Sequence, residues 1–493
     1  MNKQSFVKFA VFLASTSSIL LLAGCFGSSG SGGSGSGGSN GGEGPTVTTP
    51  APPAREHDTR ITDGYYRLVL EDLPFDPIGD PASTDRWWGE LDGVGYRIEV
   101  PDHWNGALVV YAHGYRGDER ELRVDNPEIR PYLIENGYAW AASAYAANHY
   151  DVRSGLENSN ALALNFTKIA AERGREIEEP VRHYMIGQSM GGHIAGAALE
   201  AETLSKANNP LLYDGALSLC GVMADAEILD YFTAYNLAAM QLGGVPADSF
   251  PVADGESRVE TFKEALWVDY DADIGALTAE GEKLRAILMN LSGGERPTFN
   301  EAFSDPISGR RELDILHGYA DNDGTAYGIL AQNIVDTRSV DYRFETAPGA
   351  TRTTAENQFN NLILRVSPSS DANPAQDDGL RWIPRLRGEL NAPMITLHTL
   401  GDLWVPFSMQ QIYAQRVKDQ GYAGLLVQRA IRAVGHCDFT YEEQVTAFSD
   451  LVDWHMENVK PDGDDVLDAA TVASPDYGCG FTIDGGDEAF PCP

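Results

Sequence analysis

Apolar runs with strand character recur along the chain and are separated by segments of helical spacing. Tyr96–Val100 alternates like a half-exposed strand, whereas Ala107–Ala112 is continuously apolar, as in a strand buried on both faces. Further runs of strand type cover 138–145, 182–186, 216–220, 394–397 and 425–427. Strands that alternate with helices predict a mostly parallel sheet covered by helices on both faces. In such sheets ligands bind at the carboxyl ends of the strands. Between Gly221 and Asn391 the strand rhythm stops. Ile228, Tyr231, Phe232, Tyr235, Ala239 and Leu242 follow helical spacing there, as do Leu284, Ile287, Leu288 and Leu291, with Gly293 as a stop signal. This stretch is predicted to be a mainly helical insertion.

The first residues have a different character. Lys3 and Lys8 precede an apolar run from Phe9 to Leu22, which is too short to span a membrane comfortably. Leu22-Ala23-Gly24-Cys25 then resembles the bacterial lipobox, which implies a lipidated Cys25. Phe26 follows, so the Asp that would favour the inner membrane is missing, and the outer membrane or cell surface is the expected destination. Residues 27–44 are almost entirely Gly and Ser, and 45–53 are rich in Pro and Thr. A coil of that length spans roughly 30 Å, which suits a tether. The resulting division is a signal peptide at 1–24, a tether at 25–60, a core at 61–222 and 391–460 around an insertion at 223–390, and an acidic tail at 461–493.

The formal charge of −36 becomes more negative once the two leader lysines are removed. It disfavours nucleic acid and anionic membrane surfaces as partners and leaves the lipid anchor as the membrane contact. After Cys25, the cysteines are Cys220, Cys437, Cys479 and Cys492. An even count suits two disulfides in an oxidising compartment, and none has the spacing of a zinc site.

The candidate chemistry is carried by Gly187-Gln188-Ser189-Met190-Gly191, set between the strand at 182–186 and a small-residue helix. A strand, a sharp turn and a helix raise a serine hydroxyl above the sheet, and the flanking glycines make room for the turn. A serine hydroxyl needs a histidine base, and the histidine needs a carboxylate to fix its tautomer. Asp402, just past the strand at 394–399, and His436, in Gly435-His436-Cys437, supply them in the order Ser, Asp, His. Asp438 is the rival acid. His193 and His398 are expected to be structural, and Asp321-Asn322-Asp323-Gly324 reads as a plain turn. Trp404 and the aromatic residues of the insertion are read either as lining a substrate pocket or as packing in the core.

These motifs resemble the α/β-hydrolase superfamily of esterase and lipase type over roughly 95–222 and 390–458. The resemblance implies the α/β-hydrolase fold, with the helical insertion as a cap entering after the sixth strand. It also implies an oxyanion hole from the backbone N–H groups of Met190 and Tyr115, the latter in His113-Gly114-Tyr115 after the third strand. The tripeptide recurs at His317-Gly318-Tyr319, where the preceding Arg311-Glu312-Leu313-Asp314-Ile315 is too charged for a central strand. The implied activity is hydrolysis of small or polymeric carboxylic esters through an acyl-enzyme, with no cofactor or metal. Amide hydrolysis and non-catalytic binding are the alternatives, and the cap is expected to set acyl preference more than stability. Cys220 and Cys437 both fall at the carboxyl edge of the sheet. A bond between them resembles the tannase-like feruloyl esterases, although there a cysteine precedes the serine and here Gln188 does. Cys479 would then pair with Cys492, and two buried thiols at Cys220 and Cys437 are the alternative.

Overall fold

The computed structural model describes residues 64–79, 83–483 and 492–493. The signal segment, Cys25 and the tether lie outside the described residues. Among those described, no helix is long and apolar enough to cross a membrane.

The main sheet has eight strands: β1 (Thr84–Leu91), β2 (Val94–Pro101), β3 (Ala107–Ala112), β4 (Ala139–Ser143), β5 (Arg182–Gln188), β6 (Gly215–Leu219), β7 (Met394–Thr399) and β8 (Leu426–Ile431). Their spatial order is β1-β2-β4-β3-β5-β6-β7-β8. Strand β2 is antiparallel to both neighbours, and the pairs from β4 through β8 are parallel. The mostly parallel sheet expected from the sequence is therefore present. β3 and β6 are buried along their whole length, which is why their sequences read as largely apolar runs. β1 was absent from the expectation. Its burial does not alternate, and Asp85, Arg86 and Glu90 interrupt any apolar run.

Helices α1 (Val152–Leu164) and α2 (Met190–Leu199) pack on the sheet in one apolar cluster with β2, β3 and β4. The insertion enters after β6 and contains α3 (Glu227–Leu242), α4 (Gly255–Leu266), α5 (Ala279–Leu291), α6 (Ser308–Gly318) and α7 (Thr354–Leu362). It also holds a short hairpin, Trp267–Asp269 with Asp273–Leu277, that helical spacing did not predict. After β7 come α8 (Ser408–Asp419) and, past β8, α9 (Tyr441–Glu457), whose start is fixed by a reciprocal Thr440–Glu443 capping box.

The insertion shares its apolar core with the loop after β7. Leu403, Val405 and Met409 belong to the same buried cluster as Phe232, Tyr235, Leu284, Leu288 and Leu313. The cap is thus packed onto the carboxyl edge of the sheet and continuous with it.

Candidate active site

Ser189 sits between β5 and α2 with φ 58° and ψ −119°, a strained conformation for a residue with a side chain. The turn is possible because its neighbours are glycines. A Cβ on Gly187 would stand 1.9 Å from the Gly191 carbonyl oxygen, and one on Gly191 would stand 2.0 Å from that of Ala112. The Ser189 N–H donates to the Leu219 carbonyl (2.8 Å), fixing the elbow to the end of β6.

The structure brings the three residues singled out in the sequence together. His436 Nε2 lies 2.9 Å from Ser189 Oγ, and His436 Nδ1 lies 2.6 Å from Asp402 Oδ2. Asp402, and not Asp438, is therefore the carboxylate on the ring nitrogen. Its other oxygen accepts the N–H groups of Trp404 (3.0 Å) and Val405 (2.8 Å), so the loop after β7 folds around the acid. Asp402 is fully buried, and Ser189 is 8% exposed. With Nδ1 donating to the carboxylate, a neutral His436 presents a bare Nε2 to the serine hydroxyl.

The supporting residues include several that sequence reasoning passed over. Glu312 on α6 accepts the N–H of Leu403 with Oε2 (2.7 Å) and the N–H of His436 with Oε1 (2.7 Å). Burial, followed by the nearby Asp402 charge, pushes its carboxyl up to about 8, against the two amide bonds that favour the anion. Arg296, also from the cap, donates Nε–H to the Leu400 carbonyl (2.7 Å) beside the acid loop, and burial lowers its pKa to about 10. The only sequence signal for Glu312 was an acidic residue on the apolar-sided helix that includes Leu313 and Leu316.

The other histidines take packing roles. His398 donates Nε2–H to the Val405 carbonyl (2.8 Å) and stands 3.8 Å from Asp402. Burial presses its pKa to about 4, which keeps it neutral. His193 bridges the Tyr150 hydroxyl (2.9 Å) and the Pro384 carbonyl (2.8 Å). The second His-Gly-Tyr lies at the end of α6, not after a strand, and its His317 meets the Tyr235 hydroxyl. The first packs against the elbow: a Cβ on Gly114 would lie 3.2 Å from the Ser189 Cβ. Met190 opens α2, so its N–H is among the first-turn amides without a partner within the helix. In the Asp321–Gly324 segment, Asp323 Oδ1 accepts the Thr325 N–H and hydroxyl, as in a plain turn.

Both expected disulfides are present. Cys220–Cys437 joins Cα atoms 5.2 Å apart, and Cys479–Cys492 joins Cα atoms 5.8 Å apart. Beside Ser189 is an apolar pocket lined by Tyr115, Tyr150, Phe232, Tyr319, Tyr327 and Trp404, among others. The Trp404 ring stands 4.9 Å from the His436 ring. The Tyr327 ring lies 6.0 Å from Tyr115 and 5.7 Å from Tyr319. In this form the cavity is about 30 Å³, room for one or two waters.

No family model matches the chain. Over 415 residues it is 24% identical to an o-phthalyl amidase of Xanthobacter agilis, covering 73% of this chain and 84% of that protein. Among solved structures, feruloyl esterase B from Aspergillus oryzae is similar over 80% of this chain and 86% of its own, with 16% identity and a TM-score of 0.40. A further esterase from Aspergillus oryzae matches over 75% and 78%, with 12% identity and a TM-score of 0.38. The strand order with β2 reversed, the glycine-flanked elbow after β5 and the insertion after β6 identify this chain as a protein of the α/β-hydrolase fold.

Proposed function

We propose that the protein is a serine-dependent hydrolase of carboxylic esters. The observation that carries this reading is the continuous hydrogen-bonded line from Ser189 Oγ through His436 to Asp402. On this reading Ser189 attacks the ester carbonyl while His436 Nε2 takes its proton, and Asp402 stabilises the imidazolium. The Met190 and Tyr115 N–H groups hold the oxyanion of the tetrahedral intermediate, a contribution worth about 10²–10³-fold for each donor. His436 returns the proton to the leaving alcohol, and a water then repeats the sequence in reverse to free the acid.

The pocket lining supports a neutral acyl or aryl group, since it is made of rings and aliphatic chains and contains no charged side chain. A second reading, amide hydrolysis, is favoured by the similarity to an amidase over most of both chains. The same residues would serve it, with His436 protonating a leaving amine. The disulfides and the Leu-Ala-Gly-Cys25 segment support export and lipid anchoring, and the tether would let the enzyme reach polymeric as well as small esters.

The test is a panel of chromogenic esters of rising acyl size, run beside aryl amides and a polyester film. Wild-type protein is expected to turn over esters and to take a fluorophosphonate label at Ser189, and Ser189→Ala to do neither. Labelling at another serine, or ester turnover by Ser189→Ala, would falsify the reading. Absence of both turnover and labelling in the wild type would favour a binding lipoprotein. Release of Cys25→Ala from the membrane fraction checks the anchor.

A further inference from the structure

We propose that Glu312, contributed by the cap, is a positioning residue that sets the separation of the acid and base loops. The inference rests on the reading of Ser189, His436 and Asp402 given above. Asp402 and His436 arrive on different loops, one after β7 and one after β8, which are tied at their bases by the Gly401 N–H on the Ala433 carbonyl (2.9 Å) and the Thr399 hydroxyl on the Gly435 carbonyl (2.8 Å). Glu312 adds a bridge at the catalytic residues themselves. One of its oxygens holds the amide next to Asp402 and the other holds the amide of His436 itself, each at 2.7 Å. The side chain is fully buried, as is Leu403, so the Leu403 amide has no ready substitute for this acceptor.

The chemistry of the bridge explains the residue type. Two converging N–H donors need two acceptor atoms on one rigid group, and the ionised carboxyl, the form these two bonds favour against its burial, supplies both. An amide of the same shape offers one oxygen, and its NH₂ would confront the second N–H. An aspartate keeps both acceptors but is one methylene too short to reach both loops. The element that bears Glu312 is itself held in place, because Leu313 and Leu316 on α6 sit in the apolar cluster that also contains Leu403 and Val405. Arg296 reinforces the acid side from the same insertion through the Leu400 carbonyl. The cap therefore does more than cover a pocket: through one carboxylate it fixes where the imidazole stands relative to its acid.

The experiment compares full-length wild type, Glu312→Gln and Glu312→Asp on an ester that the wild type turns over. It measures kcat and KM, and fluorophosphonate titration counts competent Ser189. Displacing a catalytic group by about 1 Å lowers turnover about 100-fold, so Glu312→Gln is expected to lose about that in kcat. KM should stay within about twofold, and the titratable fraction should be retained. A wild-type kcat in Glu312→Gln overturns the proposal. So does a loss that only tracks a fall in competent sites, which would make Glu312 a fold anchor. Should Glu312→Gln fail to fold, Glu312→Asp decides alone: a lowered kcat at unchanged KM supports the role, and a wild-type kcat refutes it. If the wild type itself shows neither turnover nor label, the triad reading fails; if it shows both and the variants match it, only the positioning role fails.

Discussion

The sulfurs of Cys220 and Cys437 join the loop leaving β6 to the residue directly after His436, with the Cα atoms 5.2 Å apart. Both cysteines have left-handed backbones, at φ 46° and 61°, a conformation that residues with side chains adopt at a cost. His436 is thereby held from two sides, by this covalent link and by the Glu312 bridge to its own amide. The bond closes a segment of 217 residues, and in the chain-entropy account such a loop stabilises the fold by about 5 kcal/mol. The paired variant Cys220→Ala with Cys437→Ala should melt several degrees lower. At a temperature where it is still folded, its kcat should fall about 10-fold or more as the base loop loosens. An unchanged kcat in the folded variant would make the disulfide a stabiliser alone.

The choice between Asp402 and Asp438 is open to a direct kinetic check. Loss of the orienting carboxylate in enzymes with this triad lowers turnover about 10⁴-fold while the site geometry survives. Asp402→Asn should behave in that way, and Asp438→Asn should stay near wild type. The reverse pattern would show that His436 takes its orientation from its own loop.

Most of the catalytic edge was legible because its parts are local. The elbow is five consecutive residues, and a glycine on each side of Gln188-Ser189-Met190 is required by contacts under 2.1 Å. Asp402 and His436 were found because each follows a fully buried strand by a few residues, in the order the fold demands. Glu312 was not found, because its role depends on where a helix of a long insertion lands. The charge that excluded Arg311–Ile315 from the sheet was read as a negative sign, whereas Glu312 is the residue that meets two distant loops. The same continuity bears on the expectation that trimming the cap would change acyl preference more than stability. Removing 223–390 would unpack Leu403 and Val405 and leave the amides of Leu403 and His436 without their acceptor.

Buried acids give the fold a distinctive response to pH. Burial raises Asp230 to about 8, with Glu227, Asp336 and Asp225 adding to the effect, and burial raises Glu200 to about 7. A carboxyl with a raised native pKa keeps its proton in the fold after the unfolded chain has lost it. It therefore stabilises most at low pH, and that stability is lost as pH rises through the native value. Buried histidines act in the opposite sense: His113 and His398, both pressed to about 4, add stability as pH rises toward 6.5. Above about 6.5 the acids act alone. The melting temperature should therefore decline from about pH 6.5 toward pH 9. Asp230→Asn, which can still accept the Asp336 amide, should flatten that decline. A wild-type melting temperature that rises from pH 6.5 to 9 would contradict this account, as would an Asp230→Asn curve as steep as the wild type's.

Acyl preference should be governed by Tyr327. Its ring closes the pocket against Tyr115 and Tyr319 and stacks on His149 at 5.6 Å, yet the residue is 39% exposed, so it stands between the cavity and solvent. Ala326 and Tyr327 both adopt left-handed backbones, at φ 52° and 59°, in a segment punctuated by Gly324 and Gly328. A cavity of about 30 Å³ cannot take an acyl chain beyond a few atoms, so larger substrates must displace this ring. Tyr327→Ala removes it without touching Ser189, His436 or Asp402. The variant should keep acetyl-ester turnover within about threefold. For bulky or aromatic acyl groups kcat/KM should rise about 10-fold, corresponding to about 1.4 kcal/mol of displaced packing. The measurement is the ratio of kcat/KM for a long-chain or benzoyl ester to that for the acetate. If the ratio stays at the wild-type value while the protein is folded, the tyrosine is not the gate, and the limit on acyl size lies deeper, at Phe232 or Trp404.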